Sequence, residues 1–78
     1  MKPIKVEDVG AFISKRFLNG REISTDEDLL LTGQIDSLGI VVLVAHLEEM
    51  TGARIPPQDI TLENFATISS IADYVNNA

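Results

Sequence analysis

Asp36 and Ser37 set a carboxylate and a hydroxyl at the mouth of the apolar run Ile40 to Ala45, and no other residues on this chain are better placed to do chemistry. A serine there can stand in solvent while the helix behind it holds its backbone rigid. That suits a residue which an enzyme must reach and modify. The plainer reading is that Asp36 or Ser37 is simply the N-cap of the helix, because caps of these types are common. Neither residue 39 nor residue 40 is Glu or Gln, so no capping box claims the hydroxyl. The first free N–H groups and the positive end of the helix dipole converge at Ser37. An anion joined to its oxygen would gain about 0.3–1 kcal/mol there.

Other chemistries fit poorly. His46 is the only histidine and there is no cysteine. Ser37 and His46 lie nine residues apart on one helix, roughly 13 Å along the axis, too far for proton transfer. No catalytic residue is therefore assigned, and His46 reads as a partly exposed helix residue. Asp26, Asp28 and Asp36 share one loop, but counting from Asp26 a calcium loop needs ligands and glycine where Leu30, Leu31 and Ser37 stand. The acids read as a solvated loop, and no metal ligand is assigned. Gly33 and Gly39 are isolated and make no nucleotide-binding loop.

The elements that must position Ser37 follow from periodicity. Val6, Val9, Phe12, Ile13 and Phe17 recur at helical steps, with Glu7 and Asp8 in the first turn and Lys15 and Arg16 in the last. This predicts a first helix over about residues 5–18, ended by Asn19-Gly20. Residues 19–36 form a long connection, which Leu29, Leu30, Leu31 and Ile35 should pin to the core. A second helix should run from Ser37 or Leu38 to about Thr51 and stop at Gly52. Leu43, Leu47, Val44 and Met50 should face inward, and Glu48 and Glu49 should face water. Pro56-Pro57 breaks the chain, leaving room for at most a short helical turn between Gln58 and Glu63. Thr67 should cap a last helix, Ile68 to Val75, buried through Ile68, Ile71, Ala72 and Val75. Asn76, Asn77 and Ala78 should fray. The expectation is one all-α domain over residues 1–78, a bundle of three main helices and one short one.

Composition narrows the function. The hydrophobic fraction of 45% is enough for a core and too high for disorder. The net charge of −6 argues against binding nucleic acid and favours protein partners with basic surfaces. No leader-like segment opens the sequence and no run is long enough to span a membrane, so a cytoplasmic protein is expected.

Asp36-Ser37-Leu38 in this setting resembles the Asp-Ser-Leu attachment site of acyl and peptidyl carrier proteins. The resemblance takes in the amphipathic first helix, the leucine-rich loop, Leu47-Glu48-Glu49, Ile55-Pro56, and the last helix from Thr67 to Asp73-Tyr74-Val75. It implies the small carrier bundle and a serine carrying 4′-phosphopantetheine, the cofactor made from coenzyme A, as a phosphodiester. The arm's terminal thiol would hold cargo as a thioester. Carried over, Ser37 would be the attachment point, Asp36 its acidic neighbour, and Leu38, Val41, Val42 and Ala45 the surface met by partners. Those partners would be a phosphopantetheinyl transferase, an acyl- or aminoacyl-loading ligase and a downstream transferase; the small exposed apolar patch leads to the expectation of a monomer. Fatty-acid carriers resembling this chain have acids early in the second helix, where Gly39 and Val42 stand here. The run Ile35 to Val41, and the segment between Pro56 and Thr67, are more similar to D-alanyl carriers and stand-alone peptidyl carriers. An aminoacyl cargo is therefore favoured over a fatty-acid or polyketide one. An unmodified helical adaptor is the rival from another class. Gly39 costs about 1 kcal/mol of helix propensity relative to Ala, so a close approach by a partner or the arm is expected to explain it.

Overall fold

In the computed structural model, which describes residues 3–77, charge and glycine set the bounds of the first helix. α1 (Val6–Phe17) has Glu7 and Asp8 in its first turn and Lys15 and Arg16 in its last. Asn19 and Gly20 both take positive φ, and the Gly20 N–H returns to the Ser14 carbonyl at 2.9 Å. That reversal ends α1 where Asn-Gly predicts. α2 (Ser37–Thr51) ends on Gly52, whose left-handed backbone (φ 76°) lets its N–H reach the Glu48 carbonyl at 2.8 Å. A 3₁₀ turn (Pro57–Asp59) and a four-residue α3 (Leu62–Phe65) follow. The sequence reading allowed one short turn here and the structure forms two, because Pro57 starts one and the Thr61 side chain caps the next. α4 (Ile68–Asn76) begins at Thr67, whose hydroxyl accepts the Ser70 N–H at 3.0 Å. The described residues contain no strand.

One core joins the helices. Val9 and Ile13 of α1, Leu43 and Leu47 of α2, Phe65 of α3, and Ile68, Ile71 and Val75 of α4 are all sealed from solvent. α4 packs against both α1 and α3. Each fully buried aliphatic side chain contributes about 1.5–3 kcal/mol relative to an exposed one.

The long connection is anchored in its second half. Leu29 and Ile35 are buried, and backbone bonds run from the Leu29 N–H to the Ala66 carbonyl (2.7 Å) and from the Ile35 N–H to the Leu29 carbonyl (3.1 Å). Leu30 is only partly buried, and Leu31 points outward at 75% exposure, contrary to expectation. Its N–H is held by the Asp28 carboxylate at 2.7 Å, so the turn that secures its backbone aims its side chain at solvent.

Three further expectations fail for tertiary reasons. Met50 is exposed, because Phe17 and Phe12 cover this side of α2 and Met50 lies a turn beyond the His46–Phe12 stack. Glu48 does not simply face water; its carboxylate accepts the Ile55 N–H at 2.8 Å and pins the following loop. Asn76 does not fray, since its amide accepts the Ile4 N–H (2.8 Å) and donates to the Ile4 carbonyl (3.0 Å). Asn77 is likewise tied back to the Asp73 carbonyl at 2.8 Å, and Ala78 lies outside the described residues.

Candidate functional site

Asp36, and not Ser37, caps α2. Its backbone is extended (φ −95°, ψ −175°), its Oδ1 accepts the Gly39 N–H at 2.8 Å, and its carbonyl accepts the Ile40 N–H at 3.0 Å. The cap therefore releases Ser37. The Ser37 side chain is exposed, and its hydroxyl has no hydrogen-bond partner among the described residues. α2 has no acid in its first turn. An anion esterified to Ser37 would face the positive end of the helix with Asp36 as its single acidic neighbour in sequence. The exposed hydroxyl without a partner leaves room for a phosphodiester at this position.

Beside Ser37 lies a cleft of about 470 Å³ walled by Leu30, Ile40, Val41, Ile60 and Leu62. Pro57 and Thr61 complete it. No charged side chain lines it, so it can receive a neutral, partly apolar arm and not a compact ion. The far wall is braced from behind. The Asp59 carboxylate accepts the Tyr74 hydroxyl at 2.6 Å, and the Asp59 carbonyl accepts the Asn64 amide at 2.9 Å. Burial, then the hydrogen bond to Asp59 and its negative charge, push the Tyr74 hydroxyl up to about 12.

Leu38 and Val41 stand out at 76% and 64% exposure, and Ala45 is exposed on the same helix. Val42 is only half-buried. Leu62, 55% exposed on α3, and Ile60 add to this apolar surface across the cleft. Sequence reasoning missed both, because a four-residue helix shows no periodicity. The one available signal was an apolar residue directly after the Thr61 cap.

The remaining candidates are not brought to Ser37. His46 is nine residues away, half a revolution round the helix, and stacks flat on Phe12 with ring centroids 3.6 Å apart. Asp26 and Asp28 close turns within the loop, Asp26 by accepting the Ser24 hydroxyl and Asp28 by holding Leu31. The Ser24 hydrogen bond holds the Asp26 carboxyl below its ordinary range. Glu27 is shifted the same way, first by the Arg21 guanidinium at 3.0 Å and then by the Gln34 amide. No group of three or more metal-ligating side chains occurs among the described residues. None of the described helices is long and apolar enough to cross a membrane.

Residues 15–75 match the family described as phosphopantetheine attachment site. A D-alanyl carrier protein of Streptococcus uberis is 36% identical over 50 residues, a stretch that covers 64% of this chain and 63% of the relative. A chain from the crystal structure of an FAD-dependent dehydrogenase superposes with a TM-score of 0.78 at 32% identity. The match covers 86% of this chain and 97% of that one, so the two are of similar length.

Proposed function

Because the chain belongs to the phosphopantetheine attachment-site family, we propose that Ser37 is the residue to which its 4′-phosphopantetheine arm is joined. The protein is a carrier and performs no catalysis itself. It has no cysteine, so the thiol that holds cargo is the arm's. What the chain supplies is presentation. Asp36 caps the helix and frees the neighbouring hydroxyl, α2 fixes its direction, and the cleft along Val41 and Leu62 gives the neutral arm a surface to lie on. The observation that carries the assignment is the exposed, unbonded Ser37 hydroxyl at the head of α2.

The favoured cargo is an aminoacyl group. The likeness to a D-alanyl carrier protein supports this, as do Gly39 and Val42 at positions where fatty-acid carriers have acids. Partners then comprise a phosphopantetheinyl transferase, an aminoacyl-adenylating ligase and a downstream transferase, all in the cytoplasm. They dock on Leu38, Val41 and Ala45, with Val42 at the margin. Docking of this kind is weak and transient, as a shuttle requires. The structural neighbour favours a second reading of the downstream step, in which a flavoenzyme oxidises cargo held on the arm.

Intact-mass spectrometry after incubation with coenzyme A and a phosphopantetheinyl transferase tests the attachment. A gain of about 340 Da that disappears in Ser37→Ala is expected; an unchanged wild-type mass would make the chain an adaptor. Loading assays with an aminoacyl-adenylating enzyme against a malonyl transferase then separate aminoacyl from fatty-acid or polyketide cargo. Oxidation on the arm would show as a further loss of about 2 Da in the presence of the flavoenzyme.

A further inference from the structure

We propose that Gly39 is a positioning residue for the modification of Ser37: its missing side chain lets Ile35 and Phe17 lock the first turn of α2 in the register that presents the hydroxyl. The inference rests on Ser37 being the attachment point. Gly39 has an ordinary helical backbone, so no turn or positive φ requires it. Helix propensity alone would favour alanine at this position. The reason lies in packing. A Cβ on Gly39 would sit 2.8 Å from Cγ2 of Ile35, 3.2 Å from Cε1 of Phe17 and 3.4 Å from Oδ1 of Asp36. The close approach expected from a partner or from the arm is thus made by the protein itself.

The three contacts differ in how far they can yield. The Phe17 atom is the rim of a partly buried ring at the edge of the core, against Phe12 and beneath Arg16, so it can swing by a few tenths of an ångström. The Ile35 methyl cannot swing in that way. It branches directly from Cβ, the residue is 3% exposed, and the backbone is tied through Leu29 to Ala66. The Asp36 carboxylate is held in place by the very N–H of residue 39. A methyl at position 39 therefore pushes either Ile35 out of its seat or the first turn of α2 away from the loop. Ser37 lies between the two, and either movement re-aims its hydroxyl. Of the docking residues, Val41 and Ala45 lie beyond the first turn and are left in place, and Leu38, within it, stays exposed.

The consequence is a split in the kinetics of the transferase. A misaimed nucleophile lowers kcat, whereas an intact docking surface keeps KM. In Gly39→Ala, kcat for modification is expected to fall by about 10–100-fold with KM nearly unchanged, since a displacement of about 1 Å can cost that much. Ile35→Leu removes Cγ2, the clashing atom. With Gly39 in place it opens a gap and lowers kcat severalfold, and combined with Gly39→Ala it restores most of the rate. The experiment measures both single variants and the double variant by steady-state modification, with thermal unfolding of each in parallel. Should Gly39→Ala not fold, Ile35→Leu alone and the double variant still carry the test. The proposal is overturned if the single variants that fold match the wild-type kcat while only their unfolding temperature moves. It is equally overturned if the loss appears in KM, or if the double variant is no faster than the slower single variant. A wild-type protein that gains no mass would instead defeat the Ser37 assignment.

Discussion

α4 and α2 solve opposite problems with similar residues. α4 carries one apolar stripe (Ile68, Ile71, Ala72, Val75), every member of it buried, and shows polar atoms elsewhere. α2 is apolar almost all round. Ile40, Leu43, Val44 and Leu47 face the core, yet Leu38 and Val41 are left in solvent. In a chain this short, exposed branched side chains on the helix that also bears the free hydroxyl are more than the fold requires. The contrast separates what holds the bundle together from what the bundle presents. α4 is a helix whose sequence is explained by the fold, and the outer face of α2 is a surface that packing leaves unused and that the proposed partners would occupy.

The comparison is broken most forcefully from the α4 side. Ile71 is fully buried, in the same core cluster as Phe65 of α3. Ile71→Ala is expected to cost about 2–5 kcal/mol, through lost burial and the cavity left behind. Small domains have about 5–15 kcal/mol in all. Urea unfolding should show the midpoint collapsing. Modification of Ser37 should fail only in the unfolded fraction, with KM of the folded fraction unchanged. A specific loss of transferase affinity at full folding would erase the distinction between the two helices.

α4 was also the more legible of the two in the sequence. Its Thr67 cap and all four buried positions follow from spacing alone, because cap and stripe are local. The same holds for the bounds of α1 and α2, and for Asp36-Ser37 at the head of α2. What escaped depends on partners far along the chain. Asn76 is held by Ile4, Glu48 by Ile55, and Gly39 is crowded by Ile35 and Phe17. No periodicity encodes such pairs. Leu31 failed for a related reason: three successive leucines cannot all face one core, and the Asp28 bond that decides which one turns out is a detail of the turn. The far wall of the cleft, Ile60 and Leu62, was hidden because its elements are three and four residues long.

Alkaline titration sharpens the comparison at the point where α4 braces the cleft. Tyr74, the only tyrosine, is raised from 10.0 to about 12, first by burial and then by its bond to Asp59 and the charge there. The folded state thus keeps this proton more tightly than the unfolded chain does. The stabilisation is complete below pH 10 and is lost as pH rises through about 12. Tyrosinate absorbance should show a single midpoint near 12 in the native protein and near 10 in urea. In Tyr74→Phe, the fall in stability over that window should vanish. An unshifted native midpoint would mean that the Tyr74–Asp59 bond does not brace the wall.

The smallest expected change in stability comes from the outer face of α2. Leu38 and Val41 are 76% and 64% exposed, so truncating either removes little buried area and leaves no cavity. Alanine also favours the helix. Leu38→Ala and Val41→Ala should therefore leave the urea midpoint within about 0.5 kcal/mol of the parent. The same variants should raise KM for the transferase severalfold and leave kcat alone, because apolar area lost from a small interface weakens docking without moving Ser37. That is the mirror image of the pattern expected for Gly39→Ala, where aim is lost and docking is kept. If Leu38→Ala unfolds the protein as Ile71→Ala does, the exposed face belongs to the core, and the reason for placing partners on it disappears.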